Sequence, residues 1–536
     1  VEVLMREMDR REALGMKSPK LAFMVHSNAT ATAENIYNTF YKDSKYDKYW
    51  FEYEGKPLLL GNKAEISHTL VKGLVDRFTF RNSWAWMGGA NADEWAWLEY
   101  YPQRPGWTSV YNSILGTTVK KTEQISVSVA QHATTKVGKS YHGGKQPAYD
   151  KYGLCEETPY GLYFQEQWNH AIDVHPPIVM VTQFNEWIAQ RFVIHNQGEY
   201  GNIRPGATAK IGETYFVDVY NAEFSRDLEP GTHPLIRDNY YLQLVSNTRK
   251  YRGVNKIPVP TVNLSIDING DFSQWDAEPV EYRDDKGDVA YISRDVQTAE
   301  TLERKSNDIV MAKVTKDAGN IYFYVETMDD ISDFESSKYW MRLLLNTDTD
   351  YTTGWGGYDY MVYKDAATGK YSLMKNRQDK FLWETVTPVE YKVVGNRMHV
   401  SVPRAALGLA GDGDIDFKWA DNITDNDPDI MTFISDGDVA PNGRFNYRYK
   451  GASLPSAVSR VEKDDTNFTI TCTDGNVAFS YNDSAEVSIQ VFDIMGRMMK
   501  SIEEPGHGAR MMLDDGVYMT RYSLDGRSGT QKFVVR

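Results

Sequence analysis

Short apolar runs alternate with helix-like stretches over the first 255 or so residues. The runs are LAFMVHS (21–27), PLLLG (57–61), RFTFRNSW (77–84), QISVSVAQ (124–131), PIVMVTQFNEW (177–187) and TYFVDVY (214–220). Continuous apolar strands separated by helices are typical of a parallel sheet covered on both faces. A (β/α)8 TIM barrel has eight such strands. The pattern therefore predicts a TIM barrel over residues 1–255 that is incomplete at its N-terminal end, with the first strands expected before residue 1.

After a Pro-containing linker, NKIPVPTV (255–262), the pattern changes to short alternating strands bounded by Gly, Asp and Asn. Such a pattern indicates all-β sandwich domains, and we expect one over residues 256–455 and a second over residues 456–536. Between barrel and linker, residues 238–253 predict a closing helix. Asp238 is expected to cap its start and Gly253 to end it after a basic last turn.

Composition limits the classes of partner. The 536 residues carry a formal net charge of −15, which disfavours nucleic acid as a ligand because nucleic-acid binders concentrate Lys and Arg. Aromatic residues reach 13% with 13 Trp and 35 Tyr, as in core-rich β proteins and in sugar-binding surfaces. No apolar run is long enough to predict a transmembrane segment. The two cysteines, Cys155 and Cys472, are expected in different domains and unpaired.

The barrel prediction indicates where candidate catalytic residues should lie, because reactive side chains of barrels lie where the strands end. Glu186 is the sharpest candidate, since a carboxylate beside an aromatic wall suits glycoside cleavage; the alternative is an ion pair at a strand end. The expected substrate-binding residues at the strand ends are Gln183, Asn185, Trp187, Trp84, Trp86, His26 and His132. For the tryptophans and histidines, ordinary core or hydrogen-bonding roles are the alternative.

The Asn185-Glu186-Trp187 segment after an apolar strand resembles glycoside hydrolase families 71 and 99. The resemblance covers roughly residues 1–253 and implies a barrel that cleaves glycosidic bonds, with Glu186 catalytic. Family 99 has a second catalytic Glu three residues later, where this chain has Ala189. Asp218 or Glu223, which follow the last strand, are the candidates to replace it, and an ion-pair network centred on Arg226 is the alternative for that segment.

Residues 264–276 (LSIDINGDFSQWD) and 343–362 (LLLNTDTDYTTGWGGYDYMV) resemble family 9 carbohydrate-binding modules. This resemblance implies a β-sandwich that accompanies a catalytic domain. Asn346, Asp348 and Asp350 alternate ahead of a glycine, and clustered oxygen ligands suit calcium. The sequence thus predicts a structural Ca²⁺ in the middle domain, with plain turn formation as the alternative. No cofactor is expected for catalysis.

The last 80 or so residues, with VSIQVFDIMGRMMKS (487–501) and a terminal KFVVR, resemble the type A sorting domain of type IX secretion substrates in Bacteroidetes. The resemblance implies a secreted or cell-surface protein. Together these observations predict a secreted glycoside hydrolase that acts on a polysaccharide or glycan. The alternative is a non-catalytic surface protein that binds glycans through a degenerate barrel.

Overall fold

The computed structural model describes most of the chain, with gaps. The described residues are 1–131, 135–150, 153–185, 191–193, 211–216, 221–231, 235–292, 301–303, 307–409, 411–423, 430–451, 468–473, 476–481, 487–493, 498–503, 509–514, 516–524 and 527–535. Two compact units form: the first comprises Val1–Pro258 and Leu264–Gly451, the second Val259–Asn263 and Ala452–Arg536. Within the first unit, "N-terminal region" denotes residues 1–258 and "sandwich region" residues 264–451. The predicted domain boundaries at residues 255 and 455 stay a prediction.

The N-terminal region combines short strands with a few helices. Its helices are α1 (Glu2–Ala13), α2 (Ala29–Ile36), α3 (Lys63–Ile66), α4 (Leu74–Arg77), α5 (Leu162–Val174) and α6 (Asn239–Arg252). Its strands are β1 (Phe23–Met24), β2 (Glu52–Tyr53), β3 (Lys56–Leu60), β4 (Thr79–Arg81), β5 (Gly106–Asn112), β6 (Thr117–Val127), β7 (Ile178–Val181), β8 (Arg191–Val193) and β9 (Thr214–Phe216). Each of the six apolar runs therefore contains a strand.

The predicted (β/α)8 barrel is nevertheless wrong, because the structure is mostly sheet, with several antiparallel sheets and few helices. Parallel pairing does join β1 to β3, β3 to β4 and β6 to β7. However, β5 and β6 form an antiparallel pair, and β9 pairs antiparallel with β8. Between β3 and β4 the chain has only the four-residue helices α3 and α4. Helices this short cannot cover a sheet face as barrel crossover helices do.

Helix α6 matches the predicted closing helix in its bounds. Asp238 is its N-cap residue and Gly253 its C-cap residue, the latter with φ at 75°. The Asp238 side chain makes no capping hydrogen bond to the helix. Its carboxylate instead accepts hydrogen bonds from the Arg444 guanidinium, which belongs to the sandwich region. A long-range ion pair has thus taken the place of the expected local cap.

The sandwich region consists of antiparallel strands. They are β10 (Tyr282–Arg283), β11 (Ala290–Ile292), β12 (Thr301–Glu303), β13 (Ile309–Lys316), β14 (Asn320–Thr327), β15 (Arg342–Asn346), β16 (Tyr360–Lys364), β17 (Tyr371–Arg377), β18 (Lys380–Pro388), β19 (Glu390–Val394), β20 (Arg397–Pro403), β21 (Ile415–Asp421), β22 (Asp438–Ala440) and β23 (Tyr447–Tyr449), with the short helix α7 (Thr432–Ser435) before β22. One sheet has the order β10-β13-β14-β20-β19. The other large sheet has the order β18-β17-β16-β15-β21-β22, with β23 also paired to β21, and β11 and β12 form a separate two-stranded sheet.

Both sheets contribute to one hydrophobic core. Phe323 and Val400 come from the first sheet, whereas Leu343, Phe417 and Trp419 come from the second, and all five are fully buried. The segment around Phe272 and Trp275 packs on the outer face of β14, and the segment around Trp355 packs on the second sheet. Central strands are therefore buried on both faces, which explains their continuous apolar runs.

The second unit holds two antiparallel sheets around its own core. Its strands are β24 (Thr469–Thr473), β25 (Asn476–Ser480), β26 (Val487–Asp493), β27 (Met498–Glu503), β28 (Arg510–Met512), β29 (Gly516–Leu524) and β30 (Arg527–Val535). The sheet orders are β24-β25-β28 and β27-β26-β29-β30. Val477, Ile489 and Val491 are buried between them. Among the described residues of the whole chain, no helix is both long and apolar enough to cross a membrane.

Candidate functional site

Aromatic side chains meet beyond the carboxyl ends of the parallel strands β1 and β4. The His26 and Trp84 rings stack with centroids 3.5 Å apart and planes 21° apart, and Trp97 meets Trp84 edge-on at 6.1 Å. Trp86 stacks on Tyr100 with centroids 5.8 Å apart. These five residues are called the strand-end site below. His26 and Tyr100 are exposed and the Trp84 and Trp86 side chains are half-buried, so the site offers aromatic surface to solvent.

Hydrogen bonds fix the orientation of Trp86. Its Nε1 donates to Oε1 of the buried Gln131 over 2.9 Å, and Gln131 Nε2 donates to Glu99 O and to the Tyr163 hydroxyl over 3.0 and 2.9 Å. Trp86 also adopts a left-handed backbone with φ at 59°. Non-glycine residues in that region are strained, and such strain concentrates at functional sites. The indole is therefore held in a defined position rather than left free on a loop.

The end of β7 lies beside the same aromatic residues. Thr182 Oγ1 donates a hydrogen bond to Trp97 O. Gln183, the next residue, has φ at 66° and is half-buried, and Asn185 is exposed. The Trp97 indole Nε1 is buried and has no acceptor among the described residues. The Arg226 guanidinium, itself buried, lies 5.4 Å from the Trp97 ring centroid. Gln183 and Asn185 thus follow a strand end that contacts Trp97, whereas His26, Trp84 and Trp86 follow strands β1 and β4 of the other sheet.

Glu223, a candidate catalytic carboxylate, is completely buried. Ser140 N and Gln146 Nε2 donate to its Oε1 over 2.8 Å, while Ser140 Oγ and Thr158 Oγ1 donate to its Oε2 over 2.8 and 2.6 Å. These contacts tie the segment around residue 223 to the loops at 140–158. The predicted site residues Glu186, Trp187, His132 and Asp218 lie outside the described residues, so the catalytic assignments stay a prediction.

The predicted calcium ligands lie in the loop after β15. Asn346 Oδ1 accepts from Thr349 N over 2.6 Å, Asp348 Oδ1 from Asp350 N over 2.8 Å, and Asp350 Oδ1 from Thr352 N over 2.8 Å. Such hydrogen bonds are those of Asx turns. The turn is therefore formed by the same side chains, and the role of Asn346, Asp348 and Asp350 in binding calcium stays a prediction.

A second acidic group, missed from the sequence, lies in the sandwich region. Asp288, Asp308 and Asp438 each place a carboxylate oxygen within 4.8 Å of the others. They are called the aspartate triad below. Asp288 comes from the loop after β10, Asp308 directly precedes β13, and Asp438 begins β22. Since 20 and 130 residues separate them along the chain, no local motif could have indicated the group.

Burial strongly perturbs the titration of these carboxyls. It raises the pKa of Asp308 to about 6 and raises the pKa values of Asp288 and Asp438 as well. It also raises the pKa of the neighbouring Asp284 to about 8, with Asp288 adding to the effect. Burial lowers the pKa of Lys418 to about 7, although Asp284 and Asp438 pull it upward.

A cavity of about 320 Å³ adjoins the triad. Asp288 and Asp438 form part of its wall, and aromatic rings including Tyr241 and Phe445 form another part. Helix α6 contributes Tyr241, whereas the segment after β22 contributes Phe445. The cavity therefore lies between the N-terminal and sandwich regions of the first unit.

Comparison with known proteins adds little. No protein-family model and no curated protein matches the chain. A solved structure described as "Biofilm associated protein - BSP domain" overlaps 40% of this chain and 27% of its own, at 9% identity and a TM-score of 0.12. A Faecalibacterium prausnitzii beta-glucuronidase overlaps 46% of this chain and 40% of its own, at 13% identity and a TM-score of 0.12. The chain thus spans less than half the length of either, and likeness this slight indicates neither a fold nor an activity.

Proposed function

We propose that this protein binds a glycan at the strand-end site. The observation that carries the proposal is the stacked His26–Trp84 pair, 3.5 Å between ring centroids, at the ends of parallel strands. Sugar rings present flat apolar faces, and binding sites combine aromatic surface with a few polar groups that fix orientation. The Trp86–Tyr100 pair extends the aromatic surface.

Polar groups around the site suit hydroxyl recognition. Asn185 is exposed at the end of β7, with an amide that can both donate and accept. The net charge of −15 favours a neutral or cationic polymer over an anionic one.

A glycan array followed by calorimetry with the best ligand tests the proposal. We expect Trp84→Ala to weaken binding tenfold or more, which corresponds to about 1.4 kcal/mol. Tyr111→Ala is the matched control, because Tyr111 is 71% exposed on β5, outside the site, and it should bind like the wild type. His26→Ala removes the exposed member of the stack and serves if Trp84→Ala does not fold. Unchanged affinity in folded Trp84→Ala and His26→Ala would refute the proposal.

Hydrolysis of that glycan is the second candidate function. The Thr182–Trp97 hydrogen bond brings the end of β7 to the strand-end site, and Glu186 follows four residues later in the sequence. We expect Glu186→Gln and Asp218→Asn to abolish turnover while retaining binding, and Glu52→Gln, an exposed control, to leave both unchanged. Binding without turnover by the wild type would favour the non-catalytic alternative.

Export to the cell exterior is part of the same proposal. Its support is the resemblance of the last 80 or so residues to type A sorting domains. Deleting residues 456–536 should retain the protein inside its native host, as fractionation and immunoblotting would show. Unchanged export of the shortened chain would contradict this part of the proposal without affecting glycan binding.

A further inference from the structure

The aspartate triad joins three segments of the sandwich region. Asp308 precedes β13 of the first sheet, and Asp438 begins β22 of the second. The three carboxylates approach one another within 4.8 Å at positions where Asp308 and Asp438 are 9% and 3% exposed. Like charges this close, taken out of water, repel strongly unless a cation or protons compensate them.

Each triad carboxylate is oriented through one of its oxygens. Gly287 N donates to Asp308 Oδ2 and Ile309 N to Asp438 Oδ2, each over 2.6 Å, and Asn442 Nδ2 donates to Asp288 Oδ2 over 2.7 Å. The other oxygens of Asp288 and Asp308 are buried and have no partner among the described residues. Metal-binding carboxylates are commonly held in this manner, with one oxygen hydrogen-bonded and the other left for the ion.

Arg10, Arg11 and Lys418 act on the triad carboxylates only through space, and their hydrogen bonds go to other groups. Lys418 Nζ donates to Pro441 O. Arg11 pairs with Asp285 over 3.0 Å, and Arg10 pairs with Glu7 over 2.8 Å. Among the described residues, no Lys or Arg makes an ion pair with Asp288, Asp308 or Asp438. The orphaned oxygen of Asp308, on a side chain more than nine-tenths buried, is therefore a position that a bound cation can satisfy.

We propose that Asp288, Asp308 and Asp438 bind one Ca²⁺ ion that fastens the two sheets of the sandwich together. All ligands that the triad offers are oxygens, which Ca²⁺ prefers over softer metals. Asp284, whose Oδ2 is also buried without a partner among the described residues, lies in the same acidic environment. Because Asp288 and Asp438 also line the 320 Å³ cavity, water or a hydroxylated ligand can reach the ion from that side.

Calcium titration of the full-length, chelator-treated protein tests the inference. We expect Ca²⁺ to bind and to raise the melting temperature by about 5 °C or more at a hundredfold excess over Kd. Mg²⁺, which demands a near-ideal octahedral site, should produce a smaller shift. If neither ion shifts the melting temperature and calorimetry detects no binding, the proposal is wrong.

Variants locate the site. Asp308→Asn and Asp288→Asn should each abolish the calcium-dependent shift, while circular dichroism confirms folding. Asp348→Asn tests the calcium site that the sequence predicts in the loop after β15, and it should retain the shift if the triad binds the ion. Loss of binding in Asp348→Asn together with full binding in folded Asp308→Asn would overturn the proposal and locate calcium in that loop instead. Since these readouts involve no glycan, they are independent of the function proposed for the strand-end site.

Discussion

The Arg81 guanidinium binds both carboxylate oxygens of Glu123, with each nitrogen–oxygen distance 2.7 Å. Arg81 ends β4 and Glu123 lies on β6, so the pair links two strands of the N-terminal region that do not pair with each other. Trp95 Nε1 donates to the same carboxylate over 2.9 Å. Although burial raises the pKa of Glu123, the hydrogen bonds from Arg81 and Trp95 outweigh it and lower the pKa.

Removing one partner of this pair should destabilise the protein severely. Glu123→Ala leaves the Arg81 side chain, 5% exposed, without its main counter-ion, and we expect a loss of about 3–5 kcal/mol in the free energy of unfolding. The double variant Arg81→Met/Glu123→Leu should lose less than the single variants Arg81→Met and Glu123→Leu combined, because it buries no charge. Urea denaturation measures all three, and additive losses would contradict the expected coupling.

The Asp238–Arg444 ion pair attaches helix α6 to the sandwich region. Asp238 is 2% exposed and Arg444 is 25% exposed. Arg444→Ala should cost about 2 kcal/mol and speed hydrogen exchange at the start of α6, since a buried carboxylate loses its cation. Arg377→Ala is the control, because its pair with Glu384 is exposed on both sides and such pairs contribute less than about 1 kcal/mol. Equal effects of the two substitutions would refute this role for Arg444.

The buried Glu223 carboxylate lies directly against Gly138. A Cβ at residue 138 would stand 2.3 Å from Glu223 Oε1. Gly138→Ala must therefore displace a carboxylate that four donors hold, and we expect it to lower stability by about 2 kcal/mol or more. Gly413→Ala is the control, since nothing lies within 4 Å of its added Cβ. Thermal unfolding distinguishes them, and a neutral Gly138→Ala would mean that Glu223 is held less firmly than its contacts indicate.

Asp317 should contribute to the loss of folding stability at low pH. Burial pulls its pKa upward, but hydrogen bonds from Tyr322, Ser265 and two backbone N–H groups outweigh it and lower the pKa to about 2. A carboxyl whose pKa is lower in the folded than in the unfolded chain, where it is about 3.9, stabilises fully above pH ~4. That contribution disappears as the pH falls through about 2. The stability difference between wild type and Asp317→Asn, measured by urea denaturation, should therefore shrink from pH 6 to pH 3. A stability difference that does not change with pH would contradict this prediction.

Local patterns located strands better than they located sheets. The run at 177–187 contains β7 and the run at 214–220 contains β9, since apolar runs bounded by turn residues report burial of short extended segments. The same signal does not distinguish a barrel strand from a hairpin strand. The pairing of β9 with β8, antiparallel rather than parallel, depends on contacts with residues about twenty positions away.

The candidate sites divide in the same way. Trp84, Trp86 and His26 could be named in advance because each lies at or just after the end of an apolar run, and the structure brings Trp84 and His26 into contact. The aspartate triad could not be named in advance, because Asp308 and Asp438 become neighbours only when the two sheets of the sandwich pack together.

The sequence by itself determined where the chain is extended, where α6 forms, and which aromatic residues end the strands, because these depend on the burial pattern of adjacent residues. Only the tertiary structure decided that the N-terminal region is not a barrel and that three distant aspartates share one site. It also decided that the Asp238 carboxylate pairs with Arg444 instead of capping its own helix. Those outcomes depend on pairing between distant segments and on the removal of charges from water. The spacing of residues along a short stretch of sequence reports neither.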